Sequence, residues 1–260
     1  MNHNLNLVRK IKKHLRNESN ILIGYIGGSL ARQVQDSLSD IDICLMGNRI
    51  LSIDERKEMY LSWGVDEILI LDEATTESLS GVADAILIDN TKVDINTLSF
   101  QMIDDLVRNN DQIENLTPNL SELFFALNMA TPIKGNHILA ELLTFIKAPT
   151  SAQLQNSVIQ YLLMEEKLDT FKKAHLRGDH LQMAKMSVVF FERLYYTVNI
   201  VSGRYFPGLK RSQLYIQRFN LHLIMPGIEK FWYMSDQEKI EFLTSSFSQI
   251  LLKGLVDRSA

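Results

Sequence analysis

Two aspartates, Asp40 and Asp42, stand two residues apart at the start of an apolar run that ends at Met46. Side chains two residues apart on a strand point to the same face, with Cα atoms about 7 Å apart. Two unpaired carboxylates side by side repel each other, and burying them would be costly. A hard divalent cation between them removes this conflict. The pair therefore predicts a metal site.

A glycine-serine turn, Gly27-Gly28-Ser29, lies shortly before the aspartates. It ends an apolar run, 21–26, that predicts a buried strand, and it opens a short helix-like stretch. A strand that ends at glycine and enters a helix presents free backbone N–H groups, which suit a phosphate. Gly28 permits close backbone approach, and Ser29 can cap the helix or donate to a phosphate oxygen. A phosphate cradle beside a carboxylate pair suits a metal-bound nucleoside triphosphate.

The strand, the glycine-serine turn, the spacer and Asp40-Ile41-Asp42 together resemble the signature of the polymerase-beta-type nucleotidyltransferase superfamily. This resemblance covers roughly the first hundred of the 260 residues. It implies a third carboxylate on a later strand. Asp94 fits, because Val93 and Ile95 flank it as strand neighbours do. The resemblance also implies that Asp40 and Asp42 hold one or two Mg²⁺ ions and that Asp94 completes the metal site.

The small-molecule members of this superfamily, the aminoglycoside and lincosamide nucleotidyltransferases, indicate what the reaction would be. By resemblance, ATP is the co-substrate, and AMP moves to a hydroxyl of a small acceptor such as an antibiotic, which implies a role in antibiotic resistance. Three alternatives stay open. Transfer could go to a protein or an RNA end, the chain could be a non-catalytic nucleotide-binding module, or Asp40 and Asp42 could simply cap a turn.

The general base that deprotonates the acceptor has more than one candidate. On a helical wheel, Glu165 lies among apolar residues that include Val158 and Tyr161, and Glu192 has similar neighbours. A carboxylate on an apolar face should be paired or functional, and burial would raise the pKa of a base. An ion pair, or exposure at a helix edge, is the structural alternative for either glutamate. The resemblance favours Asp94 as the base.

Two cations could bind the phosphates of a nucleotide. Arg32, one turn into the short helix, could reach a phosphate or could pair with Asp36 at i,i+4. Lys210 lies in a loop, 203–211, that also contains a tyrosine and a phenylalanine. Its cations could pair with triphosphate oxygens while an aromatic ring stacks on a base. Equally, this could be a surface loop whose aromatic residues enter the core.

The hydrophobic pattern changes near residue 97, where strand signals largely stop. The elements that we predict are helices at 4–16, 54–64, 118–130, 138–147, 151–177, 180–202, 212–224 and 235–254, and strands at 21–26, 41–46, 65–71, 83–88 and 92–96. This order predicts an α+β protein: a nucleotidyltransferase catalytic domain with a mixed sheet at 1–105, followed by an α-helical bundle domain at 106–260.

Composition limits the class of protein. The chain is 46% hydrophobic with a net charge of −4, so it can form a core and does not look like a dedicated nucleic-acid binder. Its single cysteine, Cys44, cannot form an internal disulfide, which fits a reducing cytoplasm. The charged N-terminus does not resemble a signal peptide, and no run reaches the ~20 apolar residues of a membrane span. We expect a cytoplasmic protein without a membrane partner. A site between two subunits would serve as well as one between domains, which leaves a homodimer open.

Overall fold

The computed structural model describes residues 2–31, 40–73 and 81–256 of the chain. These residues fall into two compact units. The first unit contains residues 1–110 and 126–146, and the second contains residues 111–125 and 147–260.

A six-stranded sheet dominates the first unit. Its strands are β1 (Ile21–Ile26), β2 (Ile41–Gly47), β3 (Glu67–Ile70), β4 (Gly81–Ile88), β5 (Thr91–Ser99) and β6 (Thr131–Lys134). They lie in the order β3-β4-β5-β2-β1-β6. Strands β2 and β5 are parallel, whereas the other neighbours are antiparallel, so the sheet is mixed.

Helices occupy much of the rest of the chain. They are α1 (Asn2–Leu15), α2 (Gly28–Ala31), α3 (Ile53–Ser62), α4 (Phe100–Arg108), α5 (Pro118–Asn128), α6 (Asn136–Leu143), α7 (Ser151–Leu162), α8 (Glu165–Leu176), α9 (His180–Val201), α10 (Ser212–Arg218) and α11 (Asp236–Val256). Short 3₁₀ helices lie at Asn110–Gln112, Leu221–Leu223 and Ile228–Tyr233. None of the helices in the described ranges is long and apolar enough to cross a bilayer.

One face of the sheet forms the core of the first unit. Alternate residues of β2 and β5 are buried there, among them Ile41, Ile43, Val93 and Ile95, in a cluster to which α1 and α3 also contribute. Because side chains alternate along a strand, the residues between them point to the opposite face. Because these apolar residues of β2 and β5 face the core, the aspartates between them lie on the opposite face of the sheet.

The second unit is helical. Helices α7, α8, α9 and α11 pack on one another. The buried hydroxyls of Tyr161 on α7 and Ser246 on α11 form a hydrogen bond, and Tyr196 on α9 donates to the backbone carbonyl of Leu116. A mixed sheet followed by a helical region confirms the predicted α+β class.

Several elements differ from the sequence-based prediction. Helix α4 was not predicted, and the helix predicted at 212–224 ends at Arg218. The helix predicted at 151–177 is two helices, because the chain turns at 163–164 between α7 and α8. No glycine or proline marks this turn, so the apolar periodicity appeared continuous. Strand β6 was not predicted, since Pro132 indicated a helix end. Proline is tolerated here because β6 is an edge strand.

A buried ionic cluster joins α3 to β4. Arg56 Nη1 donates to Asp84 Oδ1 at 2.5 Å, and Tyr60 Oη donates to Asp84 Oδ2 at 2.6 Å. The backbone N–H of Asp72 donates to Asp84 as well. Both charged side chains are almost fully buried. Removing one partner of such a pair leaves a buried charge without compensation, which costs much more than losing an exposed pair.

Replacing Asp84 with asparagine therefore tests this cluster. We expect Asp84→Asn to lower the free energy of unfolding by about 3 kcal/mol or more. The matched control is Asp89→Asn, which removes an exposed ion pair with Lys10 and should cost about 1 kcal/mol or less. Urea unfolding followed by Trp63 fluorescence in a Trp232→Phe background measures both, because Trp63 lies in the first unit beside Tyr60. Equal losses in the two variants would contradict the expectation.

Candidate functional site

Parallel pairing of β2 and β5 brings two of the predicted site residues together. Asp42 is the register partner of Asp94, between the buried pairs Ile41–Val93 and Ile43–Ile95. Neighbouring strands lie about 4.8 Å apart, and partners in register share a face. The carboxylates of Asp42 and Asp94 therefore start from adjacent positions on the face opposite the core.

Lys92 links Asp40 to Asp94. Its ammonium lies 3.1 Å from Asp40 Oδ2 and 2.8 Å from Asp94 Oδ2. These hydrogen bonds, to Asp94 first and then to Asp40, raise the pKa of Lys92. The three side chains are between 31% and 44% exposed, so the cluster is open to solvent. The structure thus places two carboxylates, those of Asp40 and Asp94, around one ammonium group.

The glycine-serine turn lies directly against Asp42. The Gly27 N–H donates to the Asp42 carbonyl at 2.9 Å, which extends the β1–β2 pairing into the turn. Gly28 has a φ of +55°, and a Cβ at this position would come within 1.6 Å of Asp42 Oδ2. Glycine is needed here both for its backbone conformation and for this close approach. Ser29 follows, half-buried, in α2.

The donor chemistry of the cluster fits a hard divalent cation, because carboxylate oxygens are the ligands that Mg²⁺ prefers. Within the described ranges, however, no group of three aspartate, glutamate, histidine or cysteine side chains converges as a metal site. Asp40 and Asp94 contact Lys92 instead. A cation bound by all three aspartates would have to take the place of this ammonium.

Cys44 lies on the same strand face as Asp42, and its register partners are Tyr25 on β1 and Asn96 on β5. The pKa of the Cys44 thiol is raised to about 11, chiefly by burial; a hydrogen bond with Tyr25 lowers this pKa and the neighbouring Asp42 charge raises it. The thiol is therefore protonated near neutral pH, and a protonated thiol is a poor nucleophile. This supports a packing role for Cys44.

Three further residues were predicted for the site: Arg32, Glu165 and Lys210. Arg32 lies outside the described residues. Glu165 and Lys210 belong to the second unit, and both are exposed. The expected apolar surroundings of Glu165 are wrong, because the chain turns at 163–164 and Glu165 becomes the first residue of α8. Glu192 on α9 is half-buried.

The aromatic residues of the 203–211 loop lie in the core of the second unit. Tyr205 packs edge-on against Phe124, with ring centroids 5.3 Å apart. Phe206 packs in the same way against Tyr195 and Tyr196. Both loop residues are almost fully buried, so neither ring is presented for stacking on a base. Of the two alternatives for this loop, the structure therefore shows the one in which its aromatic residues enter the core.

Sequence reasoning missed Lys92, the residue that holds two of the aspartates. Its spacing contained the signal: Lys92 and Asp94 are two residues apart on β5 and so share a face. Asp40 and Asp42 have the same spacing at β2. Pairing the two motifs in parallel would have placed Lys92 beside Asp40.

Comparisons with known proteins find similarity among solved structures alone. No family model matches the chain, and no curated protein matches it. Among solved structures, the chain is similar to the crystal structure of a nucleotidyltransferase-like protein from Exiguobacterium sibiricum 255-15. The TM-score is 0.45 and the identity 10%, over 96% of this chain and 76% of that one. A TM-score below 0.5 does not define a shared fold, so the function has to be inferred from the residues of the site.

Contact between Gly28 and Asp42 can be tested with a pair of glycine substitutions. Gly28→Ala should destabilise the protein more than Gly64→Ala, because both need a left-handed backbone but only a Cβ at Gly28 meets a neighbour. The strain alone costs about 1–2 kcal/mol, and displacing Asp42 should add a similar amount. Urea unfolding followed by circular dichroism measures the two losses. An equal loss would show that the close approach does not exist.

Proposed function

We propose that this protein is a magnesium-dependent nucleotidyltransferase. One observation carries the proposal: the register of β2 and β5 sets Asp42 beside Asp94, and Lys92 links Asp94 to Asp40. The glycine-serine turn that would receive the phosphates lies against Asp42. Asp42 and Asp94 thus share one face of the sheet, and Asp40, which directly precedes β2, is linked to Asp94 by Lys92. These are the carboxylates that the superfamily resemblance requires.

Each side chain has a role in this proposal. Asp40, Asp42 and Asp94 would hold Mg²⁺, and the bound ion would supply Lewis-acid stabilisation of negative charge on the phosphate oxygens. The backbone of Gly28 and the hydroxyl of Ser29 would donate to the β- and γ-phosphates. Arg32 and Lys210 stay candidates for further phosphate contacts.

Asp94 is the preferred general base. Its carboxylate is 31% exposed, so an acceptor hydroxyl can reach it. Asp94 would take the hydroxyl proton as the acceptor oxygen forms a bond to the α-phosphorus in line with the leaving group. The bond between the α-phosphorus and the bridging oxygen would break, and pyrophosphate would leave with the electron pair. Positioning of the two substrates and neutralisation of the phosphate charge would provide most of the rate acceleration.

The donor and acceptor classes follow from the superfamily resemblance and from charge. We propose ATP as the donor and the hydroxyl of a small molecule, such as an aminoglycoside or lincosamide antibiotic, as the acceptor. The acidic chain and the three aspartates disfavour a polyanionic RNA end as the acceptor. A protein hydroxyl is the remaining alternative acceptor.

Substitution of single site aspartates tests the reaction. Asp42→Asn and Asp94→Asn should each lower Mg²⁺-dependent transfer at least about a hundredfold, because each removes a charge that holds the cation. Asp89→Asn, on the exposed turn between β4 and β5, is the charge-matched control and should retain the rate. The assay follows label from α-³²P-ATP into a panel of antibiotics, lysate proteins and RNA.

The label also decides between the alternatives. Label in one acceptor class identifies the substrate. Binding of ATP and Mg²⁺ without label in any class would favour a non-catalytic nucleotide-binding module. Full transfer by Asp42→Asn would overturn the proposed metal site.

A further inference from the structure

Lys92 occupies the position between two of the proposed metal ligands. Its ammonium is within 3.1 Å of carboxylate oxygens from both Asp40 and Asp94. Both oxygens thus contact the same cation, and because a divalent ion binds oxygen at shorter distances than an ammonium does, one such ion could contact both after a small movement of the two side chains. In this arrangement a lysine holds the carboxylates where the proposed function needs a divalent ion.

We propose that Lys92 is an internal counter-ion that competes with the divalent cation for Asp40 and Asp94. Cation binding displaces the Lys92 ammonium, and cation loss lets it return. Lys92 thereby sets the affinity of the site for metal. This inference rests on the proposed function, because it assumes that the aspartates are metal ligands.

Charge and exposure make this exchange feasible. The Lys92 side chain is 41% exposed, and exposed ion pairs of this kind contribute only about 1 kcal/mol or less. An ammonium is a compact charge on a flexible stem, so it can leave without moving the backbone of β5. At a given distance, a divalent ion attracts each carboxylate twice as strongly as a monovalent ammonium does.

The buried Arg56–Asp84 pair shows the opposite case. There the charged side chains are almost fully buried, and Tyr60 and a backbone N–H complete the shell of Asp84. Displacing that cation would leave a buried carboxylate, which is costly. Lys92 has no comparable enclosure, so its position fits a cation that exchanges.

The test compares Mn²⁺ affinity without nucleotide in the wild type and in four variants, Lys92→Met, Lys92→Arg, Lys10→Met and Asp42→Asn. Calorimetry and electron paramagnetic resonance of free Mn²⁺ measure this affinity. Lys92→Met should bind Mn²⁺ at least tenfold more tightly than the wild type, because the competing charge is gone. Lys92→Arg keeps the charge and should bind like the wild type. Lys10→Met is the matched control, since Lys10 also forms an exposed ion pair in the first unit, with Asp89.

Thermal unfolding separates competition from simple stabilisation. If Lys92 competes with metal, the rise in melting temperature on adding Mn²⁺ to EDTA-treated protein should be larger in Lys92→Met than in the wild type. If the ion pair is only structural, Lys92→Met should lower both melting temperatures and leave the rise unchanged, which would overturn the inference.

The outcomes for the two proposals are distinguishable. Equal or weaker Mn²⁺ binding by Lys92→Met, in a series where wild-type binding is abolished by Asp42→Asn, overturns the role of Lys92 and leaves the metal site standing. Tighter binding by Lys92→Arg also overturns it, because charge would then not be the cause. Failure of both the wild type and Lys92→Met to bind Mn²⁺ overturns the proposed function as well.

Discussion

The parallel pairing of β2 with β5 is the constraint on which the proposed site depends. This pairing puts Asp42 in register with Asp94, and a slip of one residue would turn one of them into the core. Register is fixed because alternate residues of both strands are buried against α1 and α3. The buried apolar residues of each strand thus determine where its aspartate lies on the opposite face.

Two aspartate–cation clusters in the first unit show how environment decides what a charge can do. Asp84 and Arg56 are buried and join α3 to β4. Asp40, Asp94 and Lys92 lie at the surface of the sheet and are exposed to solvent. An aspartate–cation pair therefore stabilises the core where it is enclosed, and it can exchange its cation where it is exposed.

The fold class could be predicted from the order of the strand-like and helix-like apolar patterns along the chain. Part of the candidate site could be predicted as well, because Asp40, Asp42 and the glycine-serine turn lie in one short stretch between two strand-like runs. Asp94 could be proposed because the superfamily resemblance implies a third carboxylate on a later strand. Contacts between residues far apart in the sequence could not be predicted in this way. Lys92 meets Asp40 only through strand pairing across 52 residues, and the turn that exposes Glu165 has no glycine or proline to mark it. Aromatic residues at 205–206 looked equally suited to a ligand or to a core, and only packing against α5 and α9 decided between them.

The most direct measurement is the anomalous diffraction of a crystal grown with Mn²⁺ and a non-hydrolysable ATP analogue. We expect an anomalous peak about 2–2.5 Å from carboxylate oxygens of both Asp42 and Asp94, with the triphosphate at the Gly28–Ser29 turn. We also expect that the Lys92 ammonium no longer bridges Asp40 and Asp94. A crystal in which the analogue and Mn²⁺ bind elsewhere, while Lys92 still bridges the two aspartates, would contradict the account.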